Sequence, residues 1–304
     1  MYSKSLKNIL SKNLLLPFKN GQRFIFTFHD ISEASSVQYS KNYSTTPAAF
    51  RKQISFLSGL FEWVSLDSIT REEPFKNNVA TILFDDGFKS VETIALPILK
   101  KHRIPFSVFV NQCAIKYNRL WVTDLQVNKQ RFNADFKTKV NLGSLQSDNS
   151  FKLFENDSVF NNKLHHLSLE KYLPEQIYLN EKDIINLSRQ DVLIGNHGSF
   201  HVNLAACDEK TIRSEIEENK IFLETLLKKE VNHYAIAFGK KEHYTEKIIS
   251  TIRSAGHAFI YNTNPVSFSC PDDGTILPRI SLTGHSPREI MFYINRQFLK
   301  KINL

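Results

Sequence analysis

Along most of the chain, segments with the apolar pattern of a β-strand alternate with segments that have the apolar pattern of an amphipathic α-helix. Short runs of aromatic and β-branched residues predict buried strands, and apolar residues three and four apart predict amphipathic helices between them. The predicted strands are RFIFTFHDI, VATILF, IPFSVFVN, DVLIGN, VNHYAIAF and HAFIYNT. No glycine pattern of a dinucleotide-binding fold follows the first strand, so the alternation predicts an α/β protein built as a (β/α) barrel.

Two segments interrupt this alternation. In residues 1–20, apolar residues recur at helical spacing before Pro17, which predicts an N-terminal amphipathic helix. We expect this helix to pack on its own domain, with attachment to a membrane surface as the alternative. The stretch from about 112 to 180 is polar, asparagine-rich and weakly periodic, which predicts an insertion after the third strand. Residues 21–304 are then expected to form a single barrel domain.

The composition is that of a globular protein and narrows the range of partners. The chain has 304 residues, 41% of them apolar, which suffices for one large core. Its 3 cysteines are widely spaced without a C-x-x-C pair, so neither a disulfide framework nor a zinc ribbon is indicated. A net charge of +8 favours anionic partners, but the lysines are scattered and no basic block with aromatic residues indicates nucleic-acid binding.

The sequence also gives an expectation for the compartment. The N-terminal region lacks the continuous apolar run of a secretory signal, and no later stretch approaches the length of a membrane span. Together with the cysteine usage, this predicts a cytoplasmic protein. Peripheral contact with an anionic membrane surface belongs to the alternative for the basic N-terminal helix, in which that helix attaches to a membrane.

Two adjacent carboxylates, Asp85 and Asp86, follow the second predicted strand in the stretch LFDDGF. At the C-terminal end of a barrel strand they are placed where such barrels build their sites. Two like charges in a partly dry pocket repel, so a bound cation or a raised pKa is needed to hold them together. Since Asp and Gly also favour turns, DDG alone is equally typical of a turn.

Two histidines, His197 and His201, leave a later strand four residues apart in LIGNHGSFHVNL. H-x-x-x-H at a strand exit is a ligand spacing for a first-row metal. Two imidazoles and one carboxylate make an open site with positions for water and substrate, which suits a hydrolytic metal centre. Only one of Asp85 and Asp86 is then needed as a ligand, and the other is free to act as a general base.

The first strand, the aspartate motif and the histidine motif, taken in their order along the chain, resemble those of the polysaccharide deacetylases with a NodB-homology domain, carbohydrate esterase family 4. Over about residues 24–265, FTFHDI is similar to the family's first strand, LFDDGFKS to its DDG motif and IGNHGSFHVNL to its H-[ST]-x-x-H motif, with Gly198 where Ser or Thr is common. The resemblance implies a distorted (β/α) barrel and a divalent metal, most often Zn²⁺, with Co²⁺, Ni²⁺ or Mn²⁺ as alternatives. It implies Asp85 as catalytic base and, as metal ligands, Asp86, His197 and His201.

Three further segments carry weaker resemblances. YAIAFG is similar to the family strand whose aromatic residue, here Phe238, offers its backbone N–H to the oxyanion, although Ala237 stands where the family has proline. LPRI resembles a segment near the end of many bacterial members, and implies that Arg279 orients the base or pairs with a structural acid. RLWVTDL resembles a loop in which Trp121 either stacks on a sugar of the substrate or lies in the core.

The histidine that protonates the leaving amine in this family stands in an L-x-H motif, which the chain does not repeat. His285, in LTGH, has a different spacing and is one candidate for this acid. His29, at the end of the first strand, is the other, and it is also a candidate for contact with the substrate.

These residues favour a metal-dependent hydrolase that removes N-acetyl groups from an N-acetylated sugar or a surface-polysaccharide precursor. A second hypothesis is the same centre acting on another C–N bond, in a non-sugar amide or ureide. A third is a carbohydrate-binding relative that has lost turnover. The missing proline and the unplaced acid favour the third hypothesis, whereas the complete set of two aspartates and two histidines disfavours it.

Overall fold

The computed structural model describes residues 21–127, 132, 152, 154–164, 175–272 and 274–301, with side chains as far as Asn295. The predicted N-terminal helix and the central part of the predicted insertion lie outside these ranges, so both stay predictions. Within the described ranges, no helix combines the length and the apolar character needed to span a bilayer.

Parallel strands form the centre of the molecule, in the hydrogen-bonded order β10-β9-β8-β7-β6-β5-β1-β11, with β4 added beside β5. Arg279 alone separates β10 from β11, the two ends of this order, so the sheet curls into the predicted (β/α) barrel of eight strands, nearly closed. Two short strands, β2 and β3, pair with each other apart from the barrel. The strands are β1 (Arg23–Phe28), β2 (Asp30–Ile31), β3 (Ser44–Thr45), β4 (Glu62–Trp63), β5 (Val79–Phe84), β6 (Phe106–Val110), β7 (Leu193–Asn196), β8 (His233–Ala235), β9 (Phe259–Asn262), β10 (Ile276–Pro278) and β11 (Ile280–Ser281).

Helices connect most of the strands and begin at residues that cap them. Thr46 accepts a hydrogen bond from the Ala49 N–H before α1, Asn180 forms a capping box before α7, and Asp208 caps α8. A π-helical turn at Val91–Ala95 leads into α3. The helices are α1 (Pro47–Leu57), α2 (Leu66–Ile69), α3 (Leu96–His102), α4 (Gln112–Tyr117), α5 (Trp121–Val127), α6 (Ser158–Lys163), α7 (Glu181–Ser188), α8 (Glu209–Leu227), α9 (Glu246–Ser254) and α10 (Pro287–Lys301).

The alternation of side chains along the strands divides the core into an inner and an outer layer, because successive residues of a strand face opposite sides. The outer layer packs strand residues such as Phe26 and Phe84 against helix residues such as Phe50. Leu83 belongs to the inner layer, so Asp85, two positions further, is directed into the barrel at the carboxyl end of β5. The inner layer includes Ile25, Leu83, Phe109, Ala235, Tyr261 and Leu277.

Candidate active site

The two aspartates lie at the carboxyl end of β5 and are buried. The Asp85 N–H donates to the Phe28 carbonyl oxygen at 3.0 Å, which extends the pairing of β5 with β1 by one residue. Asp86 then takes a left-handed backbone conformation with φ of 69°, and Gly87 follows with φ of 76°. This local turn sends the two carboxylates in different directions, at the energetic cost that positive φ carries for a residue other than glycine.

The two histidines are placed by the segment after β7. The His197 N–H donates to the Val110 carbonyl oxygen at 3.0 Å, and the Asn111 side chain donates to the His197 carbonyl oxygen at 2.6 Å. His201, like Asp86, has a left-handed backbone, with φ of 58°. The Trp121 indole N–H donates to the His201 carbonyl oxygen at 3.0 Å, which holds this strained residue from the α5 side.

Asp86, His197 and His201 converge on one point. Asp86 Oδ1 lies 3.5 Å from Nε2 of His197 and 3.5 Å from Nε2 of His201. One potential ligand atom from each residue lies within 4.8 Å of those of the other two. These separations suit three ligands that each reach about 2.0–2.2 Å to one central ion.

The chemistry of the three side chains also fits a divalent cation. The His197 Nδ1 lies 2.8 Å from the Ala235 carbonyl oxygen, which can only accept, so Nδ1 carries the proton and the Nε2 lone pair faces Asp86. Asp86 Oδ1 is buried and has no hydrogen-bond partner within the described part of the chain. A buried carboxylate oxygen of this kind is costly unless a cation or donor meets it.

Burial and charge separate the protonation behaviour of the two aspartates. Burial, with the neighbouring charge of Asp85, holds the pKa of Asp86 well above its usual value. Burial also acts to raise the pKa of Asp85, but Arg279, His197 and His29 outweigh it and hold that pKa below the usual value. Asp85 is therefore the carboxylate that stays ionised without a cation, as a general base requires.

Arg279 holds the Asp85 carboxylate with one nitrogen. Its Nη1 donates to Oδ1 at 2.7 Å and to Oδ2 at 2.8 Å, and its Nε donates to the Asn262 carbonyl oxygen at 3.1 Å. The side chain is only 1% exposed, so the ion pair is shielded from solvent. Of the two alternatives from sequence, the structure places Arg279 against Asp85.

Phe238 lies beside these groups, after the end of β8. It has a left-handed backbone with φ of 59°, and its ring centroid lies 4.6 Å from that of His201. No residue of the described ranges accepts a hydrogen bond from its N–H. Phe238 also lines the cavity, together with the three converging side chains.

A cavity of about 240 Å³ opens over this group at the carboxyl ends of the strands. His29 lines it and lies with Nε2 3.9 Å from Asp85 Oδ2. Burial is the main cause that lowers the pKa of His29 to about 4. The wall also includes residues that no sequence motif singles out. They lie in the segment between β2 and β3 and on α5: Ser40, Asn42, Tyr43, Val122, Leu125 and Gln126.

Hydrogen bonds to Asp30 hold the segment between β2 and β3 at the cavity. The Asp30 carboxylate accepts hydrogen bonds from the hydroxyl groups of Ser44 at 3.0 Å, Ser90 at 2.8 Å and Ser32. The FHDI stretch marks Asp30 as the end of a strand, but the serines are scattered along the chain and carry no recognisable spacing.

Two sequence candidates do not line the cavity. Trp121 is 2% exposed and packs against Phe154 and Phe160, so its ring offers no face to a sugar and it lies in the core, the other alternative from sequence. The ring of His285 packs against Tyr293, with centroids 4.8 Å apart, and does not line the cavity. The candidate acid that the structure brings next to Asp85 is His29.

The sequence model of the polysaccharide deacetylase family matches residues 72–260, which include both the aspartates and the histidines. The chain therefore belongs to the polysaccharide deacetylase family, as its motifs predict. This membership supports a carbohydrate deacetylase, a hydrolase. Among curated proteins, no sequence matches this chain.

Solved structures share the fold. The deacetylase PplD of Streptococcus pyogenes, in complex with acetate, has 15% identity and a TM-score of 0.62, with 91% of this chain and 99% of that one covered. IcaB of Ammonifex degensii has 16% identity and a TM-score of 0.57, covering 91% and 98%. A de-N-acetylase of Aggregatibacter actinomycetemcomitans has 10% identity and a TM-score of 0.57, covering 89% and 99%.

Proposed function

We propose that this protein is a metal-dependent hydrolase that removes N-acetyl groups from an N-acetylated sugar of a surface polysaccharide or its precursor. The observation that carries the proposal is the convergence of Asp86, His197 and His201 beside an Asp85 carboxylate that Arg279 keeps ionised. Membership of the polysaccharide deacetylase family supports the reaction class.

The metal of the proposal is a divalent first-row ion held by Asp86, His197 and His201. Two neutral imidazole nitrogens and one carboxylate oxygen suit Zn²⁺, and Co²⁺, Ni²⁺ and Mn²⁺ share this donor preference to varying degrees. When bound, such an ion supplies a Lewis acid and lowers the pKa of water at the site.

The remaining groups divide the proton transfers between them. Asp85 accepts the proton of the water that attacks the amide carbonyl carbon, and Arg279 keeps the base charged and oriented. The Phe238 N–H donates to the carbonyl oxygen as it becomes an oxyanion. Breaking the C–N bond then yields acetate and a free amine, which must gain a proton.

We assign the delivery of that proton to His29. Its lowered pKa of about 4 makes the ring neutral at pH 7, so it acts as an acid only after receiving a proton. Asp85, 3.9 Å away, is the group that can pass on the proton taken from water. A protonated His29 with a low pKa is then a strong donor toward the leaving amine.

Amine release by metal-loaded protein tests the proposal. We expect turnover of N-acetylglucosamine oligosaccharides, with little activity on a panel of small non-sugar amides and ureides. Preferential hydrolysis of the small amides would instead support the second hypothesis, in which the same centre acts on a non-sugar amide or ureide. Sugar binding without turnover in the metal-loaded wild type would support the carbohydrate-binding hypothesis.

A further inference from the structure

His243 and Glu155 form a buried pair beside the proposed oxyanion donor. His243 is 1% and Glu155 7% exposed, and His243 Nε2 lies 2.8 Å from Glu155 Oε1. The Lys240 N–H donates to His243 Nδ1 at 3.0 Å, so the ring accepts on Nδ1 and donates from Nε2 to the carboxylate. Both ring nitrogens are thus engaged, which fixes the orientation of the imidazole.

The fixed ring supports Phe238. The centroid of His243 lies 5.3 Å from that of Phe238, whose ring also contacts His201 at 4.6 Å and Trp121 at 6.3 Å. Phe238 needs such support because a residue other than glycine with φ of 59° persists only where its surroundings hold it. Ala237, the preceding residue, does not restrict its own φ as a proline does.

Glu155 belongs to the segment 154–164, which docks on the other functional loop as well. The Asn203 N–H, two residues after His201, donates to Asn161 Oδ1 at 3.0 Å, and the Asn203 side chain donates to Asn156 Oδ1 at 2.9 Å. The segment therefore spans from the loop of a proposed ligand to the loop of the proposed oxyanion donor.

We propose that Glu155 and His243 are positioning residues, which hold the Phe238 N–H where the oxyanion forms. The inference rests on the proposed function, because the oxyanion donor has no role outside that reaction. A donor that moves by a fraction of an ångström stabilises the transition state less but leaves ground-state binding unchanged. The pair is thus expected to act on kcat and not on KM.

The experiment compares three variants, each loaded with Zn²⁺ and assayed on N-acetylglucosamine oligosaccharides. Glu155→Leu leaves His243 Nε2 without its acceptor, whereas Glu155→Gln retains an acceptor oxygen. Asp67→Leu is the control: Asp67 Oδ1 lies 3.1 Å from Nε2 of the buried His233, at the opposite end of β8. It breaks a second histidine–carboxylate pair far from the cavity.

We expect Glu155→Leu to lower kcat by about tenfold or more with KM unchanged, since small misplacements near reacting atoms have effects of this size. Glu155→Gln is expected to recover most of the wild-type kcat, and Asp67→Leu to keep it. Hydrogen exchange, measured well below the unfolding temperature, is expected to accelerate in residues 236–244 of Glu155→Leu only. Metal content is expected to be equal in all variants.

A wild-type kcat in Glu155→Leu, or an equal loss in Asp67→Leu, would overturn the inference while leaving the proposed function intact. Metal loss in Glu155→Leu would also overturn it, because the pair would then act through His201. Absence of amine release in the metal-loaded wild type would instead refute the proposed function itself. If Glu155→Leu does not fold, His243→Asn replaces it, since its amide oxygen can still accept from Lys240 while contact with Glu155 is lost.

Discussion

Arg279 and Asp85 are 194 positions apart in the sequence, yet one guanidinium nitrogen of Arg279 lies 2.7 and 2.8 Å from the two Asp85 carboxylate oxygens. The connection between β10 and β11, where the barrel nearly closes, puts Arg279 there. The residue at the point where the barrel nearly closes is therefore also the one that lowers the pKa of the proposed base.

Replacing this arginine is expected to shift the acid limb of the pH–rate profile. Arg279 lowers the pKa of Asp85, and the base works only above that pKa. In Arg279→Gln the pKa rises, so kcat/KM is expected to fall at a higher pH than in the wild type as the solution is acidified. The free energy of unfolding near pH 7 is expected to drop by about 3–5 kcal/mol, since a buried charge loses its partner. An unchanged acid limb would show that Asp85 is not the titrating base.

Asp85→Asn separates proton transfer from metal binding. Because Asp86, and not Asp85, faces the two imidazoles, the variant is expected to retain its metal. Without the base, kcat is expected to fall by about 10²–10⁴-fold. Metal analysis and amine release on the same preparation check both expectations, and metal loss would make Asp85 a ligand.

Metal removal is expected to abolish turnover reversibly. Treatment with a chelator should stop amine release, and added Zn²⁺ should restore it if the proposed centre is correct. His197→Ala is expected to lose the metal, because one of three protein ligands is gone. His233→Gln changes a buried histidine at the other end of the barrel and should keep the metal. Full activity of the metal-free protein would refute metal dependence.

The role of His29 as the acid can be tested by changing the leaving group of the substrate. His29→Gln is expected to lower kcat for N-acetylglucosamine oligosaccharides by about 10²-fold, because the amine leaves poorly without a proton. An aryl acetate, whose phenolate leaves without protonation, is expected to be hydrolysed at nearly the wild-type rate. His285→Gln, outside the cavity, should change neither rate. Equal losses on both substrates in His29→Gln would exclude the role of acid.

Gly198→Ser restores the residue type common in the family and is nevertheless expected to destabilise this protein. Gly198 has φ of 86°, and a Cβ there would overlap Glu215 Oε1. The Glu215 carboxylate accepts from the Phe200 N–H at 2.9 Å, next to His201. We expect a loss of about 1–3 kcal/mol in the free energy of unfolding, the usual size of such backbone strain, and weaker metal binding.

Denaturant unfolding and metal titration measure both effects of Gly198→Ser. The matched control is Gly59→Ser, since a Cβ at Gly59 meets nothing within 4 Å. Equal stability of the two variants would show that a side chain at position 198 does not disturb the contact of Glu215 with the loop that carries the two histidines.

The alternation of strand and helix patterns along the sequence determined the fold class and six of the eight barrel strands, because a buried parallel strand needs a continuous apolar run and each crossover needs an amphipathic helix. The apolar runs that directly precede the aspartates and the histidines likewise determined the place of these residues at strand ends. Both are local patterns, which a single segment displays by itself.

Only the tertiary structure decided which distant residues meet. It directed Arg279 to Asp85, brought His29 to the cavity in place of His285, buried Trp121 behind His201 and paired Glu155 with His243. None of these pairs has a fixed spacing in the chain. Each depends on strand register and on the packing of loops against one another, which arise from the sum of many contacts across the barrel and not from any one segment.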